Sequence, residues 1–508
     1  MAGSTALVAS LAGKPSLDAL HEIPDSVTLL EIRGNLAHDL SPRSVRRYFS
    51  GELLYALPNS SLPLSTRHRA LIQAAGDYDL VQLEAGSDLS PEVLSAIPAQ
   101  QRLICWKGRS DSVKHLRSVF ERISAVPARF YSLITQGERP SDGIIPLRLL
   151  KQLGRRDVVA FCEGKAGFWS RILAPYFGAP LVFGKLDESP VDDSGEPSLQ
   201  RLVNDYGFPA MNPVHELYGI VGNRVFQSPS PRLHNAGYRA LGHPALFLPF
   251  YVECFEDFSQ EMIEASALDA LGLSVRGLTI VSPYKEAAFA AAAMRSPMAS
   301  RAGASNIFLR KNGFWEAHTT DTESIIGITH NGHKLANHVK AAVIGCGGAG
   351  RAIAAALQQS GAQVTLVNRG KERGELAVSL LGLPFISLRH FRANGFSLLV
   401  NATPVGRDDD SLPFDIDSLA SSTVVVDLVY GARPTPLVTG VVARGGSVID
   451  GYDVLLNQVR KQFHMMTGRE MPAAIGRHTV TAHSYGNPLC ATEMHLNSPS
   501  VSSGQMAD

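Results

Sequence analysis

The sequence predicts an α/β protein in three successive parts: an N-terminal (β/α)8-type barrel, a smaller open α/β unit, and a third α/β unit entered through a glycine-rich turn. Three observations carry this reading. A chain of 508 residues is too long for a single core, and roughly two to four domains are expected. Its first part alternates short apolar runs with helix-period segments, the pattern of repeated βα units. Residues 341–373, AAVIGCGGAGRAIAAALQQSGAQVTLVNRGKER, read as strand, tight turn, helix and second strand.

Composition narrows the function class. Lys+Arg and Asp+Glu balance at 47 each, so no global basic excess points to nucleic acid or a membrane surface. Hydrophobic residues make up 45% and charged residues 19%, as in an ordinary soluble globular protein. The five cysteines are scattered without a C-x-x-C pair, which suggests neither a disulfide framework nor a zinc site and fits a reducing cytoplasm. The N-terminal MAGSTALVASLAGKP lacks a basic start and reads as a first strand rather than a signal peptide. No window approaches the length of apolar run that a membrane span needs.

The barrel is expected over residues 1–210, with strands at Ala6–Ala12, Thr28–Arg33, Glu52–Ala56, Leu80–Glu84, Arg102–Trp106, Arg129–Thr135, Val158–Cys162 and Leu181–Gly184. Amphipathic segments such as Ser112–Ile123 and Leu147–Leu153 lie between them. This number of units suits a closed barrel; a doubly wound sheet is the competing arrangement. Pro209–Val214 reads as a linker. The second unit covers residues 215–323 and opens on Leu217–Gly222, and the third covers residues 324–450. A helix at Gly451–Thr467, within a C-terminal segment 451–470, is long enough to pack back across the cleft between the two. Residues 479–508, rich in Ser, His, Asn and Pro, are expected to be a disordered tail.

The glycine turn carries the first chemical statement. Gly345, Gly347 and Gly350 form G-x-G-x-x-G, with Gly348 and Ala349 between, after an apolar strand and before a helix. Glycines let the backbone approach a pyrophosphate, and the helix N-terminus offers free N–H groups to that anion. A site for NAD places Asp or Glu about 20 residues on, for the ribose 2′-OH. This chain has Asn368, Arg369, Lys371 and Arg373 there, and cations suit the 2′-phosphate of NADP. The plainer alternative is a glycine-rich β–α turn with surface arginines.

Other candidates lie at strand ends. Ser228 and Ser230, in GNRVFQSPSPRLHN, are hydroxyls on a stiff loop, suited to a polyhydroxylated ligand or simply to starting a helix. Lys285, in GLTIVSPYKE, follows an apolar strand; it is placed for proton transfer or is a solvated helix-start lysine. Asn306 stands at a strand start, and Asp321, in HTTDT, is either an N-cap or the partner that orients Lys285. Together Lys285 and Asp321 would grip one substrate hydroxyl as hydride leaves its carbon. Asn401–Gly406, which contains Thr403, and Asp427–Tyr430 also follow strands, and Gln458 lies on the final helix.

The order of these pieces resembles the shikimate dehydrogenase family over Tyr218 to about Gly468: Y-G-I-V-G-N, S-P-S-P-R-L-H-N, P-Y-K-E, G-A-S-N, T-T-D, G-C-G-G-A-G-R-A, V-N-R, N-A-T-P-V-G, D-L-V-Y and D-G-Y-D-V-L-L-N-Q. The resemblance implies a substrate-binding unit followed by a Rossmann-like NADP unit. It also implies NADPH-dependent, reversible reduction of 3-dehydroshikimate to shikimate, in the pathway to chorismate and the aromatic amino acids. By position it makes Lys285 and Asp321 the catalytic pair. Ser228, Ser230, Asn306, Tyr430 and Gln458 then line the substrate pocket. Gly345, Gly347, Gly348, Ala349, Gly350, Asn368, Arg369, Arg373 and Thr403 hold the cofactor. Three positions depart from the family's pattern: Val281 replaces a threonine, Thr319 an asparagine and Ser324 a glycine. The first removes a hydrogen bond worth about 1 kcal/mol, and the departures together leave weaker binding or a shift of preference toward quinate as alternatives.

The first part resembles a type I 3-dehydroquinate dehydratase through Leu30–Arg33 and Gly164–Gly184, which implies that Glu31, Arg33, Glu84 and Arg171 face a pocket. That family's chemistry needs a lysine for a Schiff base and a histidine for proton transfer. Here Ser132 falls at the lysine position and Lys107 at the histidine position. The family's A-P-G-Q loop is Asp193–Glu196, whose extra carboxylate is expected to repel an anionic substrate. The barrel therefore reads as catalytically inactive. A bifunctional enzyme and a non-catalytic ligand-binding regulator are the alternative readings of the whole.

Overall fold

The computed structural model describes residues 5–11, 20–21, 23–34, 41–58, 62–186, 191–264, 266–322 and 339–481. Eight parallel strands come first: β1 (Ala6–Leu11), β2 (Val27–Arg33), β3 (Glu52–Ala56), β4 (Leu80–Glu84), β5 (Arg102–Gly108), β6 (Phe130–Gln136), β7 (Val158–Glu163) and β8 (Leu181–Lys185). Each matches its sequence expectation within two residues at either end. Each strand pairs with the next from β1 to β7, and β1 also pairs with β8. A doubly wound sheet needs a reversal of strand order, and none occurs. The sheet curls instead into a nearly closed barrel, without a β7–β8 ladder among the described residues.

The second sheet contains β9 (Glu216–Gly222), β10 (Ala245–Tyr251), β11 (Ser274–Ile280), β12 (Met294–Arg295), β13 (Ile307–Lys311) and β14 (Phe314–His318), in the order β10-β9-β11-β13-β14-β12. β9, β10 and β11 are parallel, whereas β13 and β14 form an antiparallel hairpin. Its two-residue turn is Asn312-Gly313, both at positive φ (50° and 84°), as a tight hairpin requires.

The third sheet is wholly parallel: β15 (Lys340–Ile344), β16 (Gln363–Asn368), β17 (Phe385–Ser387), β18 (Leu398–Asn401), β19 (Val424–Asp427) and β20 (Ser447–Ile449). Its order β17-β16-β15-β18-β19-β20 reverses beside β15, and such a switch point opens a crevice at the carboxyl ends of the strands.

The barrel and the second sheet share one apolar core. Helix Phe168–Leu173 sends Trp169 against Phe250 of β10, ring centroids 5.8 Å apart, and Phe168 against Phe226 at 4.9 Å. Beside this contact Arg232 donates to Asp205 at 2.7 Å, both side chains buried. Asp205 belongs to the helix Leu199–Tyr206, and Arg232 to the helix Ser230–Ala240.

The final long helix, Gly451–Thr467, has the bounds the sequence predicts. Asp450 caps it by accepting from the Tyr452 and Asp453 amides, and Gly468 ends it in the left-handed region. It packs on the second sheet: the Tyr218 hydroxyl donates to the Met466 carbonyl at 2.9 Å, and Phe463 stacks on Tyr238. Arg477–Thr481 form a short helix, so the expected disordered tail does not begin at Thr479; the rest of it lies outside the described residues, as does Ser324. Among the described residues no helix is long and apolar enough to cross a membrane.

Candidate active site

The carboxyl ends of parallel strands in the second and third sheets bring the predicted residues to one crevice. β9 and β11 are neighbours, so Ser228 and Ser230, which follow β9, and Lys285, which follows β11, open at the same edge. In the third sheet the glycine turn follows β15, Thr403 follows β18 and Tyr430 follows β19, again adjacent strands. The two edges touch. A Cβ on Gly348 would lie 2.8 Å from Ala304 Cβ and 3.2 Å from Lys285 Cβ.

At the centre Lys285 Nζ donates to Asp321 Oδ2 at 2.8 Å, with the lysine side chain 17% and the aspartate 2% exposed. The other carboxylate oxygen, Oδ1, accepts from Asn306 Nδ2 at 3.1 Å and from Gln458 Nε2 at 2.8 Å. A carboxylate buried this deeply is stable only when paired and hydrogen-bonded, and this one is both. The helix Lys285–Ala291 begins at the lysine, and β13 begins just after Asn306, so rigid elements hold both.

Behind the pair runs a polar chain that the sequence reading missed. The Thr320 amide donates to Asn306 Oδ1 at 2.8 Å, Gln462 Nε2 donates to Thr320 Oγ1 at 3.1 Å, and Thr279 Oγ1 donates to Gln462 Oε1 at 3.1 Å. Gln462 stands one helical turn after Gln458, and that spacing was the available signal. Thr319 turns its hydroxyl to the Asp321 amide at 3.4 Å, and Val281 packs toward Gly222.

The second cluster joins Ser228, Ser230 and Tyr430. Ser228 Oγ donates to Ser230 Oγ at 3.1 Å, both buried. Burial pushes the Tyr430 hydroxyl up, and the adjacent Ser228 hydroxyl pulls the other way. Asp427 and Asn401 brace the floor: Asn401 Nδ2 donates to Asp427 Oδ1 at 2.9 Å, and Asn401 Oδ1 accepts from the Thr403 hydroxyl at 2.7 Å. Burial pushes the Asp427 carboxyl up from its ordinary value, against the hydrogen bonds from Thr435, Val429 and Asn401.

The glycine turn fits a dinucleotide. Gly345 has φ +106°, and a Cβ on Gly350 would lie 1.8 Å from the Gly345 carbonyl, so neither tolerates a side chain. Gly347 faces open space and caps the helix Gly348–Gln359, which also carries Ala349 and leaves its first amides toward the crevice. Asn368 spends its amide on the turn itself, accepting from the Cys346 amide at 3.1 Å and donating to the Gly370 carbonyl at 2.8 Å. Arg369 and Arg373 are exposed and pair with no carboxylate among the described residues, whereas Lys371 pairs with Glu375. Two unpaired cations beyond the second strand fit a 2′-phosphate.

The barrel mouth holds a separate cavity of about 780 Å³, lined among others by Glu31, Arg33, Glu84, Ser132 and Arg171. Glu196 is paired there: Arg33 Nη2 donates to both of its oxygens, at 3.0 and 3.1 Å, and Arg33 Nε also donates to Glu31 at 3.1 Å, so two carboxylates share one cation. Lys107 pairs with Glu163 at 2.8 Å, and Lys185 pairs with Asp192.

The shikimate dehydrogenase substrate binding domain family matches residues 220–308, and the type I 3-dehydroquinase family matches residues 64–213. The shikimate dehydrogenase (NADP(+)) of Haloarcula marismortui is 34% identical over 261 residues, covering 51% of this chain and 95% of the relative. The bifunctional 3-dehydroquinate dehydratase/shikimate dehydrogenase, chloroplastic, of Arabidopsis thaliana is 27% identical over 427 residues, covering 80% of this chain and 69% of the relative. Among solved structures, shikimate dehydrogenase from Aquifex aeolicus superposes with TM-score 0.48 at 28% identity, covering 52% of this chain and 97% of that one.

Proposed function

The chain belongs to the shikimate dehydrogenase family, and from that premise we propose that it catalyses the reversible, NADPH-dependent reduction of 3-dehydroshikimate to shikimate. The buried Lys285–Asp321 pair, with Asn306 and Gln458 on the same carboxylate, carries this reading. Bound NADPH supplies the hydride. Lys285 holds the ketone oxygen and gives it a proton as negative charge develops there; in reverse it receives the hydroxyl proton. Asp321 orients the ammonium, and Asn306 and Gln458 fix Asp321 in turn. Ser228, Ser230 and Tyr430 offer hydroxyls to the substrate's carboxylate and remaining hydroxyls. The glycine turn from Gly345 to Gly350, with Arg369, Arg373 and Thr403, holds the cofactor.

The proposed division of labour follows the three sheets: a barrel over 1–210, a substrate unit over 215–323, a cofactor unit over 324–450, and the segment 451–470 closing on the substrate unit. The barrel has no dehydratase activity in this reading. Ser132 cannot form an imine, and Lys107 and Lys185 are held by carboxylates. Borohydride reduction in the presence of dehydroquinate is expected to leave no covalent adduct; an adduct on the barrel makes the enzyme bifunctional.

The decisive assay follows NADP reduction at 340 nm with shikimate. Turnover is expected, and its absence with pure full-length protein would favour a ligand-binding regulator. Val281, which offers no hydroxyl, favours one second reading, a preference for quinate, and comparing kcat/KM for the two substrates tests it.

A further inference from the structure

Arg351 lies one residue past the last glycine of the turn, and its side chain is 1% exposed. A buried cation in the first turn of a helix works against the local dipole, so its partners must hold it there. Nη1 donates back to the Cys346 carbonyl in the glycine turn at 3.0 Å. Nε donates to the Ala302 carbonyl at 2.6 Å and Nη2 to the Gly303 carbonyl at 3.3 Å, at the end of the helix Pro297–Ala302 that leads into Asn306. Nη2 also donates to Glu286 Oε1 at 2.7 Å, and Glu286 follows Lys285 directly. One planar fork therefore ties the cofactor turn to the segment that carries Lys285 and to the one that leads into Asn306. Those segments are also joined to each other, since the Ser305 amide donates to the Lys285 carbonyl at 2.9 Å.

We infer that Arg351 is a positioning residue for hydride transfer: it fixes the glycine turn at a set distance from Lys285 and Asn306 without touching the substrate. Only the kinetic part rests on the dehydrogenase reading. Hydride transfer tolerates little misplacement, and an error of about 1 Å can cost about a hundredfold in rate. Lysine keeps the charge but lacks the fork, so it cannot make these bonds together.

The test uses full-length Arg351→Lys, with Glu286→Gln as the milder variant that leaves the three carbonyl acceptors in place. In the protein without cofactor, amide hydrogen exchange is expected to quicken together in residues 302–306 and 346–350, while the barrel strands are unchanged. With NADP and shikimate, kcat for Arg351→Lys is expected to fall by about tenfold or more. KM for shikimate stays near that of the parent, and the deuterium isotope effect on the transferred hydrogen grows. An unchanged kcat accompanied only by a lower Tm, or faster exchange confined to one segment, overturns the inference. If the parent does not oxidise shikimate, the dehydrogenase reading fails separately. The exchange experiment then decides the positioning role alone: a joint increase supports it and the lack of one overturns it.

Discussion

At the scale of single residues, the site turns on how one carboxylate is spent. Asp321 accepts Lys285 on one oxygen and two amides on the other, which leaves it few ways to move. Lys285→Met is expected to lower kcat by about 10²–10⁴-fold, the usual value of a positioned acid–base group, with a far smaller change in NADP affinity. Asp321→Asn should cost nearly as much, and the double variant little more, because the pair acts as a unit; steady-state kinetics of the three variants checks this. His234 makes a different prediction. Its ring stacks on Phe247 at 4.1 Å, and burial holds its pKa down at about 3 against an ordinary 6.5. Between those values the unfolded chain takes up a proton that the fold refuses, so stability is lost as pH falls through that window. His234→Phe is expected to remove about one proton from the pH dependence of unfolding between pH 6.5 and 3, read by urea denaturation at several pH values. Lys285 and Asp321 were legible in the sequence because each falls in a short motif after a strand. Arg351 and Thr279 were not, since a polar residue within an apolar strand or helix reveals its partner only once distant segments meet.

At the scale of elements, the apolar runs of the barrel gave every strand to within two residues at either end, because a strand covered on both faces reads as a continuous hydrophobic run. The β13–β14 hairpin was lost inside a stretch read for its motifs, although Asn312-Gly313 signals it directly. β12 is two residues long, too short to leave a periodic signal. The glycine turn has no room for one added methyl group at Gly350. Gly350→Ala puts a Cβ 1.8 Å from the Gly345 carbonyl, so the turn must open. Loss of measurable NADP binding by calorimetry is expected, with the barrel still folded. Past the second strand, replacing Arg369 and Arg373 together by Ala is expected to weaken NADP by about tenfold or more while leaving NAD nearly unaffected, since only the 2′-phosphate loses its charge-assisted bonds. Dissociation constants for both cofactors test the pair.

At the scale of the whole molecule, the barrel and the substrate sheet are one folding problem. Asp205→Ala strips the buried Arg232 of its carboxylate, and uncompensated buried charge costs about 3–5 kcal/mol. The variant should therefore unfold at clearly lower urea, and the helix that begins at Ser230 should loosen with it, raising KM for substrate. The apolar contact made by Phe168 and Trp169 has a further consequence for how this chain can change over generations. On the proposed reading that the barrel is inactive, its mouth can accept new residues, and Ser132 and Lys107 there already differ from what imine chemistry requires. Its flank cannot drift in the same way, because Phe168, Trp169 and Asp205 hold up a neighbour that still has work to do. A saturation library selected for growth on the dehydrogenase activity should be permissive at the barrel mouth and intolerant along that flank. On the proposed reading the barrel persists as a foundation, and its rim is open ground for a new ligand.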